Sequence, residues 1–281
     1  MCIYDEIQQQ GFTTLRQTLP TEELERLDDI CKLLLKAGRD VLACRNRGLI
    51  TSANPRHNEI EPLVISESNN ALEVCRIEWL AGSTPYIRDH LIGILQKLIS
   101  DITRIPFHLF KDKCNFKHPG GGAFGAHQDI AAYRHFDTHY QITAAISLDP
   151  ATLENGCLEI ASGYLYQYEN QDVEELLDTP MGIRPLLNYH HGGKINGDIK
   201  EETSSKFDWL PITTEPGDII LFDSYVPHRS ARNISTAGRR MLYFTFAAGA
   251  RCEGLYDIYY ASKRSNPNNP IFHISTPTLY R

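Results

Sequence analysis

The 281-residue chain lacks any run of about 18 apolar residues, so no membrane span is expected. It lacks an excess of positive charge. Its 28 lysines and arginines stand against 35 aspartates and glutamates, and a net charge of −7 does not suggest a face for nucleic acid. It lacks paired cysteine motifs as well. The seven cysteines, at 2, 31, 44, 75, 114, 157 and 252, are scattered, odd in number and never spaced C-x-x-C. They read as reduced, packed thiols of a cytoplasmic chain. The opening MCIYDEIQQQ has neither the basic nor the apolar region of a secretory signal. Internal repeats and low-complexity tracts are absent. What is present is a globular composition, 42% hydrophobic, which can bury the core of one large domain.

Organisation changes along that single domain, 1–281. Residues 1–102 suggest a helical cover with some outer strands. Thr21 is a plausible N-cap, followed by glutamates that suit the positive end of a helix. Leu24, Leu27, Ile30 and Leu34 then recur at helical spacing. A second helix is expected over 83–102, and Arg39 to Asn69 reads as loop. From 103 to 250 short apolar runs alternate with turns: FHLFKDKCNFKH, QITAAISLD, GCLEIASG, DIILFDSYVPH and RRMLYFTFAAG. These are strand-length, β-branched and aromatic, and predict a mainly β core of packed antiparallel sheets. Residues 166–209 interrupt it with a polar insert. An excursion of that length suggests a lid, with Gly192, Gly193 and Gly197 to let it move. Residues 251–281 form a C-terminal tail.

The stretch GAHQDI, 125–130, holds two metal-binding side chains, His127 and Asp129, around Gln128. One H-x-D triplet arises often by chance and needs a third ligand. About a hundred residues on, PGDIILFDSYVPHRSARN places His228 near the end of a buried strand, after turn chemistry at Pro216-Gly217-Asp218. Two imidazoles and a carboxylate form the facial triad of non-haem Fe(II) oxygenases, with positions open for substrate, co-substrate and oxygen. His135 and His139, in a polar loop, and His190 and His191, in the insert, suit surface or packing roles better.

Arg239 stands eleven residues past His228. HQD, PGDIILFDSYVPHRSARN with that arginine, GFTTLRQTLPTEELERL and ENGCLEIASGYL together resemble the phytanoyl-CoA dioxygenase-like family of Fe(II)/2-oxoglutarate-dependent oxygenases, over about residues 10–250. The resemblance implies a double-stranded β-helix, the cupin-like jelly roll, holding Fe(II) and 2-oxoglutarate and using O2. It implies iron ligation by His127, Asp129 and His228. It implies that Arg239 grips the distal carboxylate of 2-oxoglutarate, which a planar guanidinium can do through two parallel hydrogen bonds. Ser230 matches a position that can bond the same carboxylate. Lys113, Asn115 and Thr143 resemble positions that reach the co-substrate in some members. For Lys113 an exposed strand position is an equal alternative. Arg240 should point the other way and be solvated, and Arg232 is set aside on family spacing.

The implied reaction oxidises a C–H bond, most simply by hydroxylation, with release of succinate and CO2. Halogenating relatives replace the carboxylate that Asp129 retains here. HQDIAAYRHF and LYDIYYASKRSNPNNP resemble the small-molecule branch that contains phosphonate hydroxylases. Gln128, Tyr133 and Arg134 are candidates to line the pocket, and an arginine would suit an anionic or zwitterionic substrate. The expected partner is therefore a small molecule, not nucleic acid or membrane; the oligomeric state stays open. A non-catalytic β-helix binding protein, a zinc hydrolase and a natural-product tailoring oxygenase performing desaturation or ring chemistry are the alternatives.

Overall fold

The computed structural model describes residues 2–49, 62–67, 70–189, 198–267 and 269–272. Its strands run β1 (Phe12–Leu15), β2 (Leu63–Ser66), β3 (Val74–Glu78), β4 (Phe107–Lys117), β5 (Phe124–His127), β6 (Gln141–Ser147), β7 (Leu158–Ser162), β8 (Val173–Thr179), β9 (Gly182–Leu187), β10 (Asp208–Ile212), β11 (Ile219–Asp223), β12 (His228–Ser230) and β13 (Arg239–Ala248). The principal helices are α1 (Ile3–Gln10), α2 (Thr21–Asn46), α3 (Ile92–Thr103) and α4 (Leu255–Ser265).

Seven strands form a major antiparallel sheet in the order β1-β11-β6-β13-β4-β3-β2, and four form a minor sheet, β10-β7-β12-β5. Strands β6, β11 and most of β13 are buried throughout, as their near-continuous apolar sequences require. Helices α2, α3 and α4 cover the outer face of the major sheet, α2 against β3 and the other two against β4. The inner face meets the minor sheet across a cavity whose wall takes Lys113, Asn115 and Arg239 from one sheet and His127 and His228 from the other. The packed antiparallel sheets expected from the sequence are therefore present, without a closed barrel.

Three local expectations need correction. Helix α2 starts at Thr21 with extended Pro20 as its cap residue, so Thr21 is the first helical residue. It also continues to Asn46, through a segment whose arginines and asparagine suggested loop. Its buried Leu42 supplies the packing that outweighs those polar residues. Residues 50–61, 68 and 69 of the expected loop lie outside the described residues.

The third concerns the insert. Its first half is a regular hairpin, β8 paired with β9 from Val173↔Leu187 to Thr179↔Gly182. Arg184, 2% exposed, reaches Asp223 at 2.9 Å and the α1 carbonyls of Ile7 and Gln8 at 3.1 and 3.0 Å. Gln128 holds the same hairpin: Nε2 donates to Pro185 O at 2.8 Å and Oε1 accepts from Leu187 N at 2.9 Å. The hairpin is thus bolted to the core. The three glycines assigned to a moving lid, with His190 and His191, lie outside the described residues.

Gln128→Ala should show what this anchor contributes. It removes the partner of two buried carbonyls, Pro185 O and Tyr225 O, and of a buried N–H, Leu187 N, each costing about 1–3 kcal/mol if left unpaired. The expected outcome is a lower urea midpoint with faster amide exchange concentrated in 173–187. Uniform exchange, or an unchanged midpoint, would contradict the anchoring role.

Candidate active site

Strand register brings the two histidines together. In the ladder between β12 and β5, His228 is the direct partner of His127, and the ring centroids are 4.1 Å apart. Asp129 follows two residues later, where the chain leaves β5 and enters the one-turn helix Ile130–Tyr133. Donor atoms of His127, Asp129 and His228 all lie within 4.8 Å of one another. Asp223 sets up the third member. Its Oδ1 accepts the N–H groups of Tyr225 and Val226, at 2.9 and 3.1 Å, and so shapes the crossing from major to minor sheet that ends at His228.

Both rings are presented in the form that a metal needs. Nδ1 of His127 lies 2.7 Å from Gly125 O, and Nδ1 of His228 lies 3.0 Å from Val226 O. With a proton on each Nδ1, the Nε2 lone pairs are free. Burial, reinforced by neighbouring His228, pushes His127 down to about 3, so its ring is neutral near pH 7. Burial lowers His228 likewise. Burial opposes the charge on Asp129, but His228 and Lys113 outweigh it and hold the carboxyl below its usual range. Two neutral imidazoles and a carboxylate suit one divalent ion, iron among them.

Farther along the cavity, Arg239 is 5% exposed. Its Nη1 meets Met241 Sδ at 3.6 Å, the Tyr243 hydroxyl lies against the guanidinium, and among the described residues its buried Nε has no partner. Among the described residues no carboxylate pairs with it, so the fork is available for one from a ligand. Ser230 sits beside it and accepts a hydrogen bond from Lys117 Nζ at 2.7 Å. Asn115 lines the same wall, with its buried Oδ1 unpaired. Lys117 is the direct ladder partner of Arg239. Burial, with Arg239 adding to it, lowers Lys117 to about 7. Gly156, in the NGCLEI stretch, makes room there. It has φ +72°, and a Cβ would fall 2.2 Å from Ala231 O and 2.9 Å from Lys117 Nζ.

The remaining candidates divide. Lys113 is not on an outer surface: it lines the cavity, its Nζ 4.9 Å from the Tyr243 ring. Thr143 faces inward, but its hydroxyl is engaged with Thr245 at 2.9 Å. Gln128 points away into the hairpin, and Arg134 pairs with Glu174 at 3.0 Å at the partly exposed rim, so neither lines the cavity. Tyr133 is buried edge-on to Phe110. Arg240 takes the opposite side of β13, as strand alternation requires, but is only partly exposed and is engaged in ion pairs. It binds Asp149 at 2.7 Å and Asp28 of α2 at 2.6 Å. Arg232 is exposed. Lys117 and Tyr243 escaped the sequence reading, although alternation along KDKCNFK signals that Lys111, Lys113, Asn115 and Lys117 share a face.

Several known proteins resemble this chain. The 2-aminoethylphosphonate dioxygenase of Uncultured bacterium HF130_AEPn_1 is 34% identical over 192 residues, covering 68% of this chain and 65% of that protein. The methylphosphonate hydroxylase of Gimesia maris is 40% identical over 159 residues, covering 57% and 52%. The chain thus spans between half and two thirds of the length of these curated relatives. Among solved structures, the carbocyclase SnoK from nogalamycin biosynthesis superposes with a TM-score of 0.63 at 14% identity, covering 91% of this chain and 89% of that one. EctD from S. alaskensis gives 0.60 at 17% identity, covering 87% and 75%. At those identities the structures speak for the fold alone. Residues 7–241 match the family described as Phytanoyl-CoA dioxygenase (PhyH), and with that match taking in His127, Asp129, His228 and Arg239, the chain belongs to this family.

Proposed function

We propose that the protein is an Fe(II)- and 2-oxoglutarate-dependent dioxygenase that hydroxylates a small organophosphonate. The observation that carries the reaction class is the pairing, in one cavity, of a three-donor cluster with an arginine whose fork meets no carboxylate among the described residues. Family membership supports it, and the printed activities of the two phosphonate relatives support the substrate class. When bound, iron with 2-oxoglutarate and O2 supplies an oxidant able to take hydrogen from an unactivated C–H bond, with succinate and CO2 released.

The chain's part is binding and placement. His127, Asp129 and His228 would hold the ion from one side and leave the other open. Arg239 would fix the distal carboxylate of the co-substrate, with Ser230 and Lys117 beside it. The apolar sheets keep bulk water out, which strengthens each of these charged contacts. No side chain has to act as a nucleophile. Asp223, in the DSY sequence, is occupied by Arg184 and two backbone N–H groups and is not part of a hydrolytic triad.

The test is succinate formation with Fe(II), 2-oxoglutarate and either methylphosphonate or 2-aminoethylphosphonate. Phosphonate should stimulate turnover and yield a product one oxygen heavier. Stimulation only by non-phosphonates would overturn the substrate class and keep the reaction class. No succinate with any of a broad panel of small molecules, from a protein that binds iron, would favour a binding protein.

A further inference from the structure

We propose that Lys113, with Lys111 beside it on β4, holds the oxyanion group of the primary substrate. On the reading above that group is a doubly ionised phosphonate, and the ligand class rests on that reading; the place rests on the following geometry. Strand β4 turns Asp112, Cys114 and Phe116 outward, where they are buried under the helices, and Lys111, Lys113, Asn115 and Lys117 inward. Residues two apart on one face are about 7 Å apart, so Lys113 and Lys117 stand roughly 13 Å apart along the strand.

Those two positions mark different ends of the site. Lys117 is paired across the ladder with Arg239, Lys113 with Tyr243 and Lys111 with Thr245. A five-carbon co-substrate held by the ion at one end would have a single distal carboxylate to offer the Arg239–Lys117 end. Lys113 and Lys111 lie instead on the side of Asp129, whose charge both of them favour.

Neither ammonium has a hydrogen-bond or ion-pair partner among the described residues. Lys111 rests 5.5 Å from the Tyr133 and Tyr259 ring centroids, and Lys113 lies against Tyr243. The neighbouring cations are served: Arg76 and Lys263 both meet Glu78, at 2.9 and 2.6 Å. Both lysines are half-buried; an ammonium partly withdrawn from water without an acceptor opposes folding, and an incoming anion reduces that cost. A divalent ion would be balanced by Asp129 and the chelating carboxylate, and the Arg239 end by the distal one. Lys113 lines the cavity with no acceptor of its own, and Lys111 stands beside it on the same face of β4, so an acceptor for them would have to come from a second ligand.

The experiment measures ligand binding by calorimetry to the full chain with Fe(II) under anaerobic conditions. The probes are 2-oxoglutarate and then, in its presence, methylphosphonate, 2-aminoethylphosphonate, methanesulfonate and short carboxylates. Lys113→Met should weaken phosphonate binding at least about 30-fold, with 2-oxoglutarate affinity within about threefold. Lys113→Arg should restore part of it, and Lys111→Met should abolish the preference for dianions over monoanions. Thermal midpoints check folding; should Lys113→Met not fold, Lys113→Gln takes its place. If Lys113→Met loses 2-oxoglutarate and keeps phosphonate, the lysine serves the co-substrate and the inference is wrong. If phosphonate binds equally to both, the subsite falls while the substrate class stands. If the wild type ignores phosphonates but binds a sulfonate or carboxylate through Lys113, the subsite stands and the phosphonate reading falls. Binding of no oxyanion at all overturns both.

Discussion

Arg239→Leu is expected to raise the 2-oxoglutarate dissociation constant by roughly 30-fold to several-thousand-fold, the range for removing one side of a buried, hydrogen-bonded charge pair at about 2–5 kcal/mol. The side chain is 5% exposed, and among the described residues no acidic side chain competes for its fork. Iron affinity should change little, because the guanidinium is not one of the clustered donors. Arg239→Lys should recover only part of the loss: it keeps the charge and gives up the two-pronged geometry. Arg240→Leu gives the contrast. Its guanidinium ties β13 to Asp149 and to Asp28 of α2, all partly exposed, so its loss should cost stability, about 1 kcal/mol or less, and leave co-substrate affinity alone. Calorimetry and urea unfolding on both variants separate the effects. A mild Arg239→Leu together with a severe affinity loss in Arg240→Leu would mean that the side-chain register of β13 is reversed.

His127→Ala and His228→Ala should each lower metal affinity and turnover by more than about 100-fold, since even the outer partners of metal-bound histidines cost 10–100-fold when removed. Asp129→Ala should abolish hydroxylation in the same way. The fold should survive the histidine changes, with a stability change of about 1–2 kcal/mol. The sheets bring their own apolar faces, such as Ile142, Ala144 and Ile146 of β6, all fully buried. Equilibrium dialysis against Fe(II), with circular dichroism on the same samples, is the check. Full activity in any of the three variants removes that residue from the metal site.

The triad and Arg239 are legible in the linear sequence because their chemistry is rare and their neighbours are turn and strand signals. PGD is one such signal, and Gly217 does carry φ +92°. Strands β4, β6, β11 and β13 are legible from their apolar runs. Lys111, Lys113 and Lys117 are not, because a charged residue in a strand ordinarily marks the solvent side. Here the helices bury the other side of β4 as well, and alternation alone cannot say which face looks into a cavity. Hairpin β8–β9 is hidden for a related reason. Its carboxylates and exposed Leu176 and Ile183 disguise the pattern, while the interactions that hold it come from Gln128 and Asp223, distant in sequence. Gln128, inside H-x-D, and Arg134, just after it, look like ligand contacts, but Gln128 is bound to the hairpin and Arg134 to Glu174, away from the cavity.

The pairing of β5 with β12 also bears on when this protein acquires its chemistry. His127 and Asp129 leave the ribosome about a hundred residues before His228, and Arg239 later still. The first strand, β1, waits for β11, its one ladder partner among the described residues, with Phe12 opposite Phe222. Closing such long loops is the slow part of folding. On the function proposed above, a nascent or truncated chain would hold His127 and Asp129 without the third donor, His228, and without Arg239. Oxygen activation would become possible only once synthesis has passed β13 and the ladder has zipped, so half-made copies would be spared from turning an oxidant on themselves.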